Sequence, residues 1–162
     1  MNSETGLIQL FSQHFPIIYE YRQMFFFGVL ATIGIAAIAT FFGVILGLCN
    51  ALIRVIKIEK GNAVTRGILW LLQQCSRLYV TFFRGTPLFV QILVWYFVWS
   101  PILVHPQHGL LIDGELARQL RQNYGALIAG VLALSVNSGA YITEIFRSGI
   151  KSIDRGQMEA AR

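Results

Sequence analysis

The sequence predicts an all-α integral membrane protein with three spanning helices and one helix at the membrane interface. Three observations carry this. Only 13% of the 162 residues are charged and 55% are hydrophobic, and the mean hydropathy is +0.58. That charge is about half the share found in soluble domains, too little to cover a water-facing surface. The charges also leave three long uncharged runs, at residues 23–53, 85–112 and 122–143. When these runs are laid across a bilayer, the basic residues divide ten against three between its two faces.

The first span is placed at residues 24–50. As a helix, its apolar stretch 24–49 reaches ~39 Å, enough to cross a ~30 Å hydrocarbon core with tilt. Thr32, Ala36, Ala39, Gly43 and Gly47 recur along it at steps of three or four, so they share one face. In lipid such a face lets another helix approach closely.

Residues 66–83 read as the interfacial helix. Arg66, Gln73, Arg77 and Thr81 fall on one side, and Ile68, Leu71, Leu72, Leu78 and Phe82 help to cover the rest. This is the pattern of an amphipathic helix at the membrane surface. The rival is a fourth span with Arg77 inside it. Charge counting favours the surface helix. It gathers Arg54, Lys57, Lys60, Arg66, Arg77, Arg84, Arg147, Lys151, Arg155 and Arg162 on one face, opposite Arg22, Arg118 and Arg121. The positive-inside rule makes the richer face cytoplasmic and the N-terminus external.

The second span is placed at residues 88–104, which reach ~26 Å, near the lower limit for crossing. Thr86 is its expected cap, and Pro87 suits the first turn. Trp95, Tyr96 and Trp99 enrich its outer half as an interfacial belt, and Pro101 and Pro106 mark its exit. Residues 105–123 read as an external loop, with Gly109, Asp113, Gly114 and Glu115 as turn formers. The third span, 124–143, turns polar at Ser135, Asn137, Ser138, Tyr141 and Thr143. Polar groups at membrane depth need partners or water. Asn137, Ser138 and Tyr141 therefore either line a pathway or bond neighbouring helices together.

Nothing in the chain points to catalysis or a bound cofactor. There is no GxxxxGK[ST], HExxH, GxSxG or GxGxxG. His105 and His108 lack a third partner at metal-ligand spacing. Cys49 and Cys75 read as packing residues on the reducing, cytoplasmic side. The bases form no separate tail or stripe, which argues against nucleic acid as a partner. Residues 147–162 are either a solvated basic anchor or a short docking helix. Ser152 or Asp154 would cap that helix, with Ile153 and Met158 as its apolar contacts.

Three segments resemble a known family. Arg84-Gly85-Thr86-Pro87-Leu88-Phe89-Val90-Gln91 is similar to the RGTPLLVQ signature of polar amino-acid permeases of bacterial ATP-binding-cassette (ABC) importers. The stretch from Gly139-Ala140-Tyr141 through Glu144 and Arg147 resembles their GAY-x-AEI-x-R-x-GI signature. Gly156-Gln157-x-Glu159-Ala160-Ala161 resembles the start of their EAA loop. The resemblance implies a type I ABC importer permease of the histidine, glutamine, glutamate or arginine type. Its implied partners are ABC ATPase subunits that hold ATP and Mg, a second permease (the same chain or another), a periplasmic or lipid-anchored amino-acid-binding protein, and membrane lipid. Gly156, Glu159, Ala160 and Ala161 would dock on the ATPase as a coupling helix. The family pattern continues past the EAA segment with two further spans, so the expectation is an incomplete bundle, a fragment of the whole permease. The 105–123 loop is long for the family. Two other classes compete. A membrane anchor for a sensor would be followed by a soluble domain. An ion-coupled transporter or channel would place a charge deep in a span, whereas Glu144 sits at a span's end.

The topology is open to direct measurement. Lys57→Cys should stay unlabelled by an impermeant thiol reagent in intact cells, and His108→Cys should react. Labelling at 57 with none at 108 would invert the assignment.

Overall fold

The computed structural model describes residues 14–57 and 62–152. Contacts divide the chain into two units, 1–35 and 36–162. The first described helices are α1, Pro16–Glu20, with proline in its first turn, and α2, Arg22–Val55. Within the first unit, the Arg22 guanidinium stacks on the Tyr19 ring at 4.6 Å. Met24, Phe25, Phe26 and Phe27 are all exposed, as lipid-facing side chains are free to be.

The second unit takes in α2 from Ala36 onward, then α3 (Ala63–Gly85), α4 (Leu88–Val94), a π-helical turn (Trp95–Trp99), α5 (Ser100–Leu103) and α6 (Gly114–Lys151). The π turn has a local cause. Pro101 has no N–H to donate to the preceding turn. Just before it, the Ser100 N–H reaches the Trp95 carbonyl, five residues back. One wide turn thereby absorbs the mismatch. Helices α2 and α6 are each long and apolar enough to cross a membrane. Helix α3 and the run Leu88–Leu103 are bent by 110° to one another, and among the described residues the count of crossings reaches three if that pair is taken as one broken span.

The expected small-residue seam is present but shifted along α2. Ala39, Gly43, Gly47 and Ala51 are buried, whereas Ala36 is exposed. Thr32 is also exposed, and its hydroxyl donates back to the Gly28 carbonyl at 2.8 Å. The seam presses on α6. A Cβ on Gly43 would stand 2.9 Å from Ser138 Cβ, and one on Gly47 would stand 2.6 Å from Ile142 Cγ2. Across this contact α6 answers with Gly139, whose own Cβ would stand 3.1 Å from Leu46 Cβ and 3.4 Å from the Gly43 carbonyl oxygen.

Helix α6 is longer than its apolar run. The helix begins at Gly114, not near 124, so the preceding connection is about half the expected length. Asp113 stands at the N-cap and Glu115 lies in the first turn, where a carboxylate favours a helix start. Glu115 then pairs with Arg118 at 3.6 Å. A search for apolar length misses such a charged extension. The shortened connection folds back on α5, with Leu111 N–H on the Leu103 carbonyl at 2.9 Å. Gly109 sits so close to the Ile112 carbonyl that a Cβ there would be 1.9 Å away. At the other end, Ser152 closes α6 as its C-cap, and the short helix expected to follow it lies outside the described residues.

The seam gives a graded expectation. Gly47→Leu should lower the melting temperature of the purified protein through overpacking of about 1–3 kcal/mol. Gly130→Ala, with open space around its Cβ position, should leave it unchanged or slightly raised. Equal melting of the two variants would remove the seam as a close contact.

Candidate functional site

The RGTP segment is a helix stop. A residue before proline is driven to extended backbone, and Thr86 has φ −111° and ψ 144°. Helix α3 therefore ends at Gly85 with its last carbonyls unpaired, and in apolar surroundings these need donors. The sequence reading made Thr86 the cap of the following helix. Instead its hydroxyl donates backward to the Phe82 carbonyl at 2.9 Å. The buried amide of Gln91, one turn into α4, donates to the Phe83 carbonyl at 2.9 Å and to the Thr86 hydroxyl at 2.8 Å. From α6, the Asn137 amide donates to the same Phe83 carbonyl and to Gln91 Oε1, each at 3.1 Å. One polar knot thus joins α3, α4 and α6 at the bend.

Around this knot the second signature takes its place. Tyr79 donates to the Val136 carbonyl at 2.6 Å. Its oxygen would lie 2.7 Å from any Cβ on Gly139, so glycine is required there for the close approach of α3. The amphipathic helix is thereby packed on α6 through its C-terminal half. Ala140 is fully buried. Arg84 lies over the Tyr141 ring at 5.2 Å, which brings the two signature segments together. Of the three candidates for pathway lining, Tyr141 is exposed. Asn137 is engaged between helices, and Ser138 abuts Gly43.

One turn beyond, Glu144 forms an ion pair with Arg54 of α2 and another with Arg147, whose Nη2 is 2.6 Å from Glu144 Oε2. The Glu144 and Arg147 of the signature are thus a clamp on the end of α2. Gln73 of α3 reaches the same end, donating to the Ile53 and Ile56 carbonyls at 3.1 and 3.0 Å. The sequence reading placed Gln91 in a signature, Gln73 on a polar helix face and Arg54 among the cytoplasmic bases, and assigned none of them a role between helices. Gln91 had a usable signal, since it is a polar side chain inside an otherwise apolar span. Gly156, Glu159, Ala160 and Ala161 lie outside the described residues.

Residues 62–162 match the family described as binding-protein-dependent transport system inner membrane component. A Rickettsia conorii protein named "Putative glutamine transport system permease protein" is 33% identical over 90% of this chain and 55% of its own length. The arginine transport system permease protein of Bacillus subtilis is 34% identical over 83% of this chain and 48% of its own. A crystal structure of an amino acid ABC transporter with histidines matches with a TM-score of 0.63 and 32% identity, covering 91% of this chain and 56% of that one. The chain spans about half the length of these relatives.

The clamp can be measured by a double-mutant cycle on melting. Glu144→Gln should cost about 1–3 kcal/mol, between an exposed and a fully buried pair, because Arg54 would lose its counter-charge. Adding Arg54→Gln should recover part of that loss. Strict additivity would mean that the pair contributes nothing.

Proposed function

The chain belongs to the family of binding-protein-dependent transport system inner membrane components, and from that premise we propose that it acts as a permease subunit of an ABC importer for a polar amino acid. It is a multi-pass inner-membrane protein with its N-terminus external, and it does no chemistry of its own. Two permeases form the pathway, as a homodimer or a heterodimer. Separate ATPase subunits hold ATP and Mg, and a periplasmic or lipid-anchored binding protein delivers the amino acid. The observation that carries this reading is the convergence of the two signature segments on one junction, Phe83 with Asn137 and Arg84 with Tyr141, within the residues that match the family.

The bonds of Asn137 and the contact of Ser138 with Gly43 support a role for both between helices, and the exposure of Tyr141, under Arg84, supports it as the pathway-facing side chain. Glu144 ties α6 to α2, so movement at the end of α6 reaches both α2 and the bend. Gly156, Glu159, Ala160 and Ala161 follow α6 in sequence and supply the coupling contact. Two alanines permit close docking, and the Glu159 carboxylate meets a base or donor on the ATPase. Alternation between states follows from each ligand state favouring a different conformation.

Reconstitution of the full-length permease with its ATPase and binding protein tests both halves of the proposal. Uptake of one polar amino acid should require ATP, and its absence across a panel of such amino acids would overturn the importer reading. Glu159→Lys should reduce recovery of the ATPase with the permease about a hundredfold, the scale of a reversed close charge. Unchanged recovery and uptake would leave Glu159 an ordinary surface residue.

A further inference from the structure

Away from the polar knot, the ends of α2 and α6 and the middle of α3 enclose a second feature. Arg54, Gln73, Arg77, Arg147 and Lys151 line a small cavity of about 60 Å³. Four of these five side chains are cations, and the fifth, Gln73, is held by the carbonyls at the end of α2. Glu144 is the one carboxylate joined to this cluster among the described residues, and Arg54 and Arg147 already share it. Arg77 makes only a 3.5 Å contact with the neutral Gln74. Neither Arg77 nor Lys151 takes part in an ion pair among the described residues.

Like charges crowded beside a low-dielectric region repel one another strongly, and a bound anion removes that repulsion. The cavity has room for a few water-sized groups, which suits a compact oxyanion and not a whole organic ligand. Arginine forks match phosphate oxygens bidentately, and lysine adds a mobile point charge. The charge count puts all four cations on the cytoplasmic face, where anionic headgroups lie within reach of the helix ends. The cavity draws on three helices, so an anion there would also draw those helices together.

We infer that Arg54, Arg77, Arg147 and Lys151 form a binding site for the phosphate of an anionic phospholipid headgroup. The site is separate from the polar knot at the bend, and its occupancy is independent of which amino acid the permease carries. Arg54 and Arg147 supply a fixed wall because Glu144 holds them. Arg77 and Lys151, which are exposed, close on the headgroup from the open side.

The test is a titration of the delipidated full-length permease with a fluorescent phosphatidylglycerol, using zwitterionic phosphatidylcholine as the control. Phosphatidylglycerol should bind preferentially. Arg77→Gln with Lys151→Gln should weaken it about 25-fold, roughly fivefold for each cation lost near a charged lipid surface. Arg77→Lys with Lys151→Arg should keep most of the affinity, which separates lost charge from lost folding. Inorganic phosphate should compete poorly. Displacement by inorganic phosphate as effective as by the lipid would assign the site to a free phosphate and overturn the lipid. Unchanged affinity in the glutamine variant would overturn the site itself. So would a lack of lipid preference accompanied by protection of Lys151 only when the ATPase docks, which would give the cluster to an acidic protein partner. Uptake assayed in parallel keeps a failure of lipid binding distinct from a failure of transport.

Discussion

The structure turns on one constraint: backbone carbonyls freed at a helix break must find donors where water is scarce. Thr86 and Pro87 end α3 abruptly, and the Phe82 and Phe83 carbonyls are left behind. In a soluble protein, solvent would serve them. Here three side chains do, Thr86 from the break itself, Gln91 from α4 and Asn137 from α6. An unpaired buried acceptor costs about 1–3 kcal/mol, so these donors are tied to their places. Because they come from different helices, satisfying one end of α3 also fixes the 110° bend and the position of α6.

Close packing depends on the same junction. In lipid there is little hydrophobic drive between helices, and contact must come from shape and hydrogen bonds. Glycines at 43, 47 and 139 bring α2, α3 and α6 near enough for Tyr79 to reach the backbone of α6. The seam was legible from sequence because small residues kept a helical step. Its extent was not. Periodicity marks a face, whereas the length of contact depends on where the partner crosses. Ala36 therefore lies on the right face and remains exposed, while Ala51, near the charged end, is fully buried.

The functional side chains were legible to a similar depth. The two signatures could be read as strings, and apolar runs located the helices that carry them. Their meeting could not be read, because Asn137 lies 54 residues beyond Phe83 and no local pattern encodes that distance. Nor could pathway lining be separated from interhelical bonding at Asn137, since both uses call for a polar residue in an apolar run. The early start of α6 escaped for a different reason. Its first turns carry Glu115, Arg118 and Arg121, residues that suit a water-exposed helix and conceal it from any measure of apolar length.

Helix α6 is where these constraints accumulate. Along it, in order, come the hydrogen bond from Tyr79, the polar knot at Asn137, the glycine contact at 139, and the ion pairs of Glu144. Together they join α6 to α2, α3 and α4. Ion pairs that are mostly withdrawn from water add little net stability relative to an apolar contact, but breaking one leaves an uncompensated charge. Such a clamp therefore resists separation more than it favours folding, and resistance is the property a mechanical joint needs. In the proposed permease, a force applied beyond residue 152 would meet the Glu144 clamp first among the joints of the described residues. It would pull the end of α2 with it, and only then reach the bend where Arg84 and Tyr141 face each other. On that proposal, the order of the joints along one helix would set the order in which a cytoplasmic event is felt at the pathway.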